Sequence, residues 1–156
     1  TRVDLREVVA GAVEGLTGTL RIHWSPPAEP AWSHADRTLL RQALGNILKN
    51  ATEAAGESGQ VWIALDETPG RVRITIDDDG PGWPPGARET MLEPYFTTKE
   101  QGTGLGLSLV QRTMLQHGGS MELQDRPGGG ARVVLMLPAA GGGSNPEGAG
   151  RRSEAS

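Results

Sequence analysis

A chain of 156 residues suits one core of two packed layers, and its length does not call for a second domain. A formal charge of −4, with both signs scattered along the sequence, excludes the basic stripe of a dedicated nucleic-acid binder. The lack of cysteine excludes a disulfide framework and a thiolate metal site. No apolar run reaches bilayer-spanning length, and no basic-then-apolar signal opens the chain, so we expect a soluble cytoplasmic unit without membrane insertion.

From Thr1 to Leu16, Asp4 suits a helix cap, and Leu5, Val8, Val9, Ala12, Val13 and Leu16 recur at helical spacing. After Gly18, the alternation of Leu20, Ile22 and Trp24 predicts a short strand, ended by Pro26-Pro27 and followed by a second extended piece near Trp32. Residues 35–55 form the longest predicted helix, with Leu40, Leu44, Ile47, Ala51 and Ala54 in one narrow apolar stripe. Two alternating runs, Val61 to Asp66 and Val72 to Asp77, flank the turn-like Thr68-Pro69-Gly70 and predict an antiparallel hairpin.

Between Gly80 and Gly106 the sequence is rich in glycine, proline and threonine with little periodicity, the mark of a long loop kept for function. Leu105 to Gln116 reads as a helix stopped by Gly118-Gly119. Ser120 to Gln124 and Ala131 to Leu137 read as a final strand pair. Residues 139–156 are small and polar with no apolar period, and we expect a disordered tail or linker after a domain spanning 1–138. The order of elements predicts an α/β fold, a two-layer sandwich whose mixed sheet carries three helices on one face.

Four clusters carry chemistry. Asn46 and Asn50 lie one turn apart on the long helix, at the margin of its apolar stripe, and amide oxygens are hard neutral donors suited to magnesium. A helix asparagine taken alone more often caps backbone or meets solvent. The strand ending at Asp77 runs into Asp78-Asp79-Gly80-Pro81-Gly82, where a carboxylate can accept from an exocyclic amine while glycine admits a flat base; taken alone this is also a common acidic turn. In Glu93-Pro94-Tyr95-Phe96-Thr97-Thr98-Lys99, the aromatics can anchor the loop while Lys99 reaches a phosphate, although a single lysine is usually just solvated. Gly102-Thr103-Gly104-Leu105-Gly106-Leu107 leads directly into a helix, and unhindered N–H groups at a helix N-terminus hold phosphate. Its spacing fits neither a Walker loop nor a dinucleotide fingerprint.

Taken in order, N-I-L-K-N-A, D-D-D-G-P-G, Y-F-T-T-K and G-T-G-L-G-L resemble the asparagine, first glycine, phenylalanine and second glycine boxes of the GHKL superfamily, in its histidine-kinase branch. The resemblance covers Asp4 to Pro138 and implies the Bergerat fold, with ATP and magnesium held between the long helix and a mobile lid. It implies that Asn50 ligates magnesium, Asn46 supports the phosphate and metal region, Asp78 binds adenine N6, and Gly80 and Gly82 shape the base pocket. Phe96, Thr98 and Lys99 would belong to the lid. Gly102, Thr103, Gly104, Leu105, Gly106 and Leu107 would line the phosphates. The spelling around the lid is similar to the nitrogen-regulatory type of sensor kinase. One departure is Ala131, where many relatives carry threonine, which removes the hydroxyl for a second, water-mediated adenine contact.

None of the three histidines, His23, His34 and His117, lies in the H-E or H-D context of a phosphoacceptor helix. The resemblance therefore implies that the acceptor histidine sits on a separate dimerisation domain, with a response regulator downstream. In the hydrolytic GHKL branches the position matching Asn46 is typically glutamate, a general base. An ATP-gated module, a serine kinase of the anti-sigma type and a degenerate nucleotide-binding module are the rival readings.

Overall fold

The computed structural model describes residues 1–16, 21–83 and 106–140. Two strand systems organise them. A mixed five-stranded sheet contains β2 (Arg21–Trp24), β4 (Gln60–Thr68), β5 (Arg71–Asp78), β6 (Ser120–Asp125) and β7 (Ala131–Pro138), in the order β2-β4-β5-β7-β6. Only β2 and β4 pair in parallel. A small antiparallel pair joins β1 (Arg2–Asp4) to β3 (Trp32–His34). The helices α1 (Leu5–Glu14), α2 (Arg37–Ala55) and α3 (Gly106–Gln116) pack on one face of the large sheet.

Period-two alternation places the sheet in this layer. Val72, Ile74 and Ile76 of β5 turn toward the helices, as do Val61, Ile63 and Leu65 of β4 and Val133, Leu135 and Leu137 of β7. The predicted hairpin forms with longer strands than the apolar alternation marks, because Thr68 pairs with Arg71 across Pro69-Gly70 and adds charged, solvent-facing rungs. Gly70 takes φ +75°, which a residue with a Cβ adopts with strain.

The long helix buries more than a narrow stripe. Ala43 and Leu48 join Leu40, Leu44, Ile47 and Ala51 in the core, while Ala54 is only half-buried near the C-terminus. Sheet and flanking helices together explain the wider band, since α2 touches α1, α3, β4 and β5. Asp36 caps it by accepting from the Leu39 N–H at 2.9 Å. His117, just past α3, holds the same junction: its Nε2 accepts from the Asp36 N–H at 3.1 Å and its Nδ1 donates to the Thr113 carbonyl at 2.7 Å. An N–H can only donate and a carbonyl can only accept, so these partners fix the tautomer. His34 closes β3, not a turn before the helix.

The opening residues differ from the single helix expected over Thr1 to Leu16. Arg2–Asp4 are extended against β3, and the helix begins only at Leu5. Asp4 caps it as expected and does more. At 3% exposure it accepts from the backbone N–H groups of Arg6 at 3.1 Å and Ala31 at 3.2 Å, while the Arg6 guanidinium pairs with it at 2.9 Å and reaches the carbonyls of Pro27 and Ala28. At the far end, the backbone N–H groups of Ala139 and Ala140 donate to Gly70 and Trp32, so packing continues past Pro138.

Burial pushes the Asp4 carboxyl up, but the Arg6 side chain and the two backbone donors outweigh it and hold the group below its ordinary 3.8. A depressed carboxyl stabilises the fold above its unfolded value, and that contribution is lost as pH falls through the folded one. Asp4→Ala should lower unfolding free energy by about 2 kcal/mol at neutral pH, through the lost cap and the unpaired neighbours. Urea titrations at pH 7 and pH 3 should show the difference between the two chains shrinking at the lower pH.

Candidate functional site

The inward row of β5 does not end in an apolar residue. After Val72, Ile74 and Ile76, the same alternation puts Asp78 on the helix side at 5% exposure. Asp77, one residue earlier, points to the opposite face, where Arg132 grips it with two bonds of 2.7 and 2.8 Å. Adjacent carboxylates therefore have unlike surroundings. Asp77 has a cation, whereas among the described residues Asp78 has backbone donors alone: Gly80 N–H at 2.9 Å and the N–H of Ala131, its register partner on β7. A carboxylate has about four lone-pair sites, so acceptor capacity remains.

Burial is the largest influence on Asp78 and raises its pKa. The donors of Gly80 and Ala131 act against it, and the charges of Asp79 and Asp77 add to the rise.

The loop after Asp78 is held on three sides. Asp79 and Gln60 exchange bonds, N–H to carbonyl at 3.2 Å and N–H to Oδ1 at 2.9 Å. A Cβ at Gly80 would strike the carbonyl of Ala54, so the loop passes directly under the last turn of α2. Gly82, at φ +83°, lies against the Gly130 carbonyl, and the Trp83 indole N–H donates to the Gln124 carbonyl at 2.8 Å. Gly130 has φ +114°, and a Cβ there would collide with the carbonyl of Asp78.

This geometry brings together two of the four clusters. Asn50 is one turn before Ala54 on α2, Asn46 is one turn further back, and both are half-buried. Gly80 and Gly82 line the loop between that helix and Asp78. Gly106 opens α3, and Leu107 is in the core, which leaves its backbone as the part able to face a ligand. Phe96, Thr98, Lys99, Gly102, Thr103, Gly104 and Leu105 lie outside the described residues.

Sequence reasoning missed Gly130, in the turn before β7, Gln60, at the start of β4, and Trp83, which reaches β6 from the loop itself; all three shape the carboxylate's surroundings. The run Gly128-Gly129-Gly130 was the available signal for the first. His23 stacks beside Trp62 with ring centroids 5.5 Å apart and its Nε2 lies 2.8 Å from Gln60 Oε1.

A carboxyl raised in the fold stabilises it fully below 3.8 and loses that contribution as pH rises through the folded value. Ionised Asp78 is thus a cost to the ligand-free fold at neutral pH. Asp78→Asn keeps an oxygen for the Gly80 donor and carries no charge. Differential scanning calorimetry at pH 7 should find its midpoint equal to or above that of the unaltered chain; a midpoint several degrees lower would show that the charge supports the fold.

Residues 35–141 match the family described as histidine kinase-, DNA gyrase B- and HSP90-like ATPases. The nitrogen regulation protein NtrY of Azorhizobium caulinodans is 44% identical over 129 residues, covering 78% of this chain and 16% of that protein. Sensor histidine kinase ZraS of Klebsiella oxytoca is 36% identical over 145 residues, 89% of this chain and 31% of its own. The chain therefore spans less than a third of these curated relatives. The solved catalytic domain of histidine kinase ThkA superposes with a TM-score of 0.80 at 30% identity, covering 88% of this chain and 94% of that one. The mycobacterial sensor histidine kinase MprB gives 0.75 at 28% identity, with 89% and 97% coverage. Among the described residues no helix is long and apolar enough to cross a membrane. The chain belongs to the histidine kinase-, DNA gyrase B- and HSP90-like ATPase family, and its fold is that of the ATP-binding catalytic domain of two-component sensor histidine kinases.

Proposed function

We propose that this domain holds ATP with magnesium between α2 and the loop after β5, and passes the γ-phosphate to a histidine on a separate helical dimerisation domain. The observation that carries this reading is the buried carboxylate of Asp78, which among the described residues meets no cation, beneath the last turns of the helix that bears Asn46 and Asn50. Asp78 accepts from adenine N6, and Gly80 and Gly82 let the base lie close to the backbone. The Asn50 amide oxygen is a metal ligand, and Asn46 orients the phosphates beside it.

Two neutral amides suit magnesium, which takes most of its oxygen ligands from phosphate and water. When bound, the ion neutralises charge on the β- and γ-phosphates. Lys99 supplies a cation, and the backbone N–H groups around Gly102, Thr103, Gly104, Leu105, Gly106 and Leu107 supply fixed dipoles at the N-terminus of α3. Phe96 and Thr98 belong with Lys99 to the segment covering the phosphates. The acceptor imidazole nitrogen bonds to the γ-phosphorus as the bond to the bridging oxygen breaks, and ADP leaves. A response regulator then takes the phosphoryl group from that histidine.

The amide at Asn46 separates phosphotransfer from hydrolysis. It can orient a group by hydrogen bonding but cannot take a proton from water at neutral pH. The isolated chain should bind ATP, release phosphate very slowly, leave itself unlabelled, and transfer acid-labile phosphate to a cognate helical domain added in trans. Asn50→Ala should abolish the transfer. Rapid steady-state phosphate release without any histidine-bearing partner, lost in Asn50→Ala, would replace this reading with that of an ATP-driven switch.

A further inference from the structure

The helices cover one face of the large sheet, and the other face carries a concave trough of about 1040 Å³. Strand register shows how the trough is made. One rung, His23–Trp62–Asp77–Arg132–Gln124, is bulky. Two residues further along each strand the side chains shrink to Ala64, Thr75 and Val134, with Glu122 at the β6 end. Two more residues on, Asp66, Arg73 and Met136 rise again. Small side chains form a floor between two tall walls.

We propose that this trough seats one α-helix of a partner protein, with a small apolar stripe on the floor and acidic residues along its flanks. The wall rows are four residues apart along β4, β5 and β7, about 13 Å from centre to centre, on the scale of the 10–12 Å girth of a helix with its side chains. The floor crosses four strands, three steps of about 4.8 Å, or roughly 10 residues of helix. Sheet twist accumulates over the same span, which limits the seat to about three turns.

Charge selects the flanks. Arg21, Arg71, Arg73 and Arg132 share this face, and Arg126 lies over the Trp62 ring at 4.1 Å. Among the described residues three carboxylates answer these five arginines, Asp66, Asp77 and Glu122, leaving a surplus of two positive charges there on a chain of net −4. In the Arg132–Asp77 pair the acid is the deeper partner, with the Asp77 side chain 13% exposed and Arg132 29%. A second copy of the chain does not fit, because two concave faces of like charge would meet. The seat lies on the side of the sheet away from Asp78 and its loop, so an occupant leaves the nucleotide site open.

The test uses three synthetic helices of about 14 residues, long enough for the span estimated above. Each carries the same alanine–leucine stripe, with glutamate flanks, lysine flanks, or glutamate flanks broken by a central proline. Methyl NMR of the full 156-residue chain should show the glutamate helix shifting Ala64, Thr75, Val134 and Met136 at tens of micromolar peptide, with the other two weaker by about tenfold or more. Ala64→Trp should fill the floor, and Arg73→Glu should reverse a wall charge; each should remove those shifts without altering ATP affinity. Shifts confined to the helix face, equal binding of the lysine helix, or no shift from any peptide would overturn the proposal.

Discussion

A buried carboxylate that meets no cation among the described residues is the constraint on which the site depends. Asp78 is drawn to the core side by the alternation that buries Val72, Ile74 and Ile76, so the residue that closes the apolar row is also the one that costs most to bury. Its backbone donors come from two directions, Gly80 just after it and Ala131 across the sheet. Both approaches are close enough to exclude side chains. Gly80 abuts the end of α2, and Gly130 abuts Asp78 itself. The pocket shape therefore follows from bringing three backbones together around one charge.

The remaining elements hold these backbones in register. Asp79 and Gln60 tie the loop to β4, Trp83 ties it to the edge strand β6, and His117 fixes the start of α2 to the end of α3. The Trp83 indole also occupies a carbonyl of β6, one of the two outer strands of the sheet. Arg132 serves the opposite face: by neutralising Asp77 it keeps the neighbouring acid from being a second buried, cation-free charge. Central strand β5 thus carries an ion-paired carboxylate and a buried one at consecutive positions.

Much of this was legible in the sequence. Local periodicity was enough for α2, the β4–β5 hairpin and the β6–β7 pair, because each shows its pattern within a dozen residues or so. The three-residue strand β1 was not legible: Arg2–Asp4 are extended only through pairing with β3, some thirty residues away, and the helical spacing starting at Leu5 masks them. The same applies to the site. Asp78, Gly80 and Gly82 are adjacent in sequence and readable as a unit, whereas Gly130, Trp83 and Gln60 matter through contacts across the sheet. Asn46 and Asn50 lie one turn apart on α2, as their helical spacing predicts.

The account's central claim, that Asp78 is the acceptor for the adenine amine, is tested most directly by a thermodynamic cycle between ATP and ITP, which bears a carbonyl in place of that amine. Titration calorimetry on the unaltered chain should find ATP bound about ten- to a hundredfold more tightly, the worth of one hydrogen bond to a charged group. In Asp78→Asn the preference should collapse, because an amide presents a donor as readily as an acceptor. Equal affinities in the unaltered chain, or an ATP preference that survives the substitution intact, would contradict it.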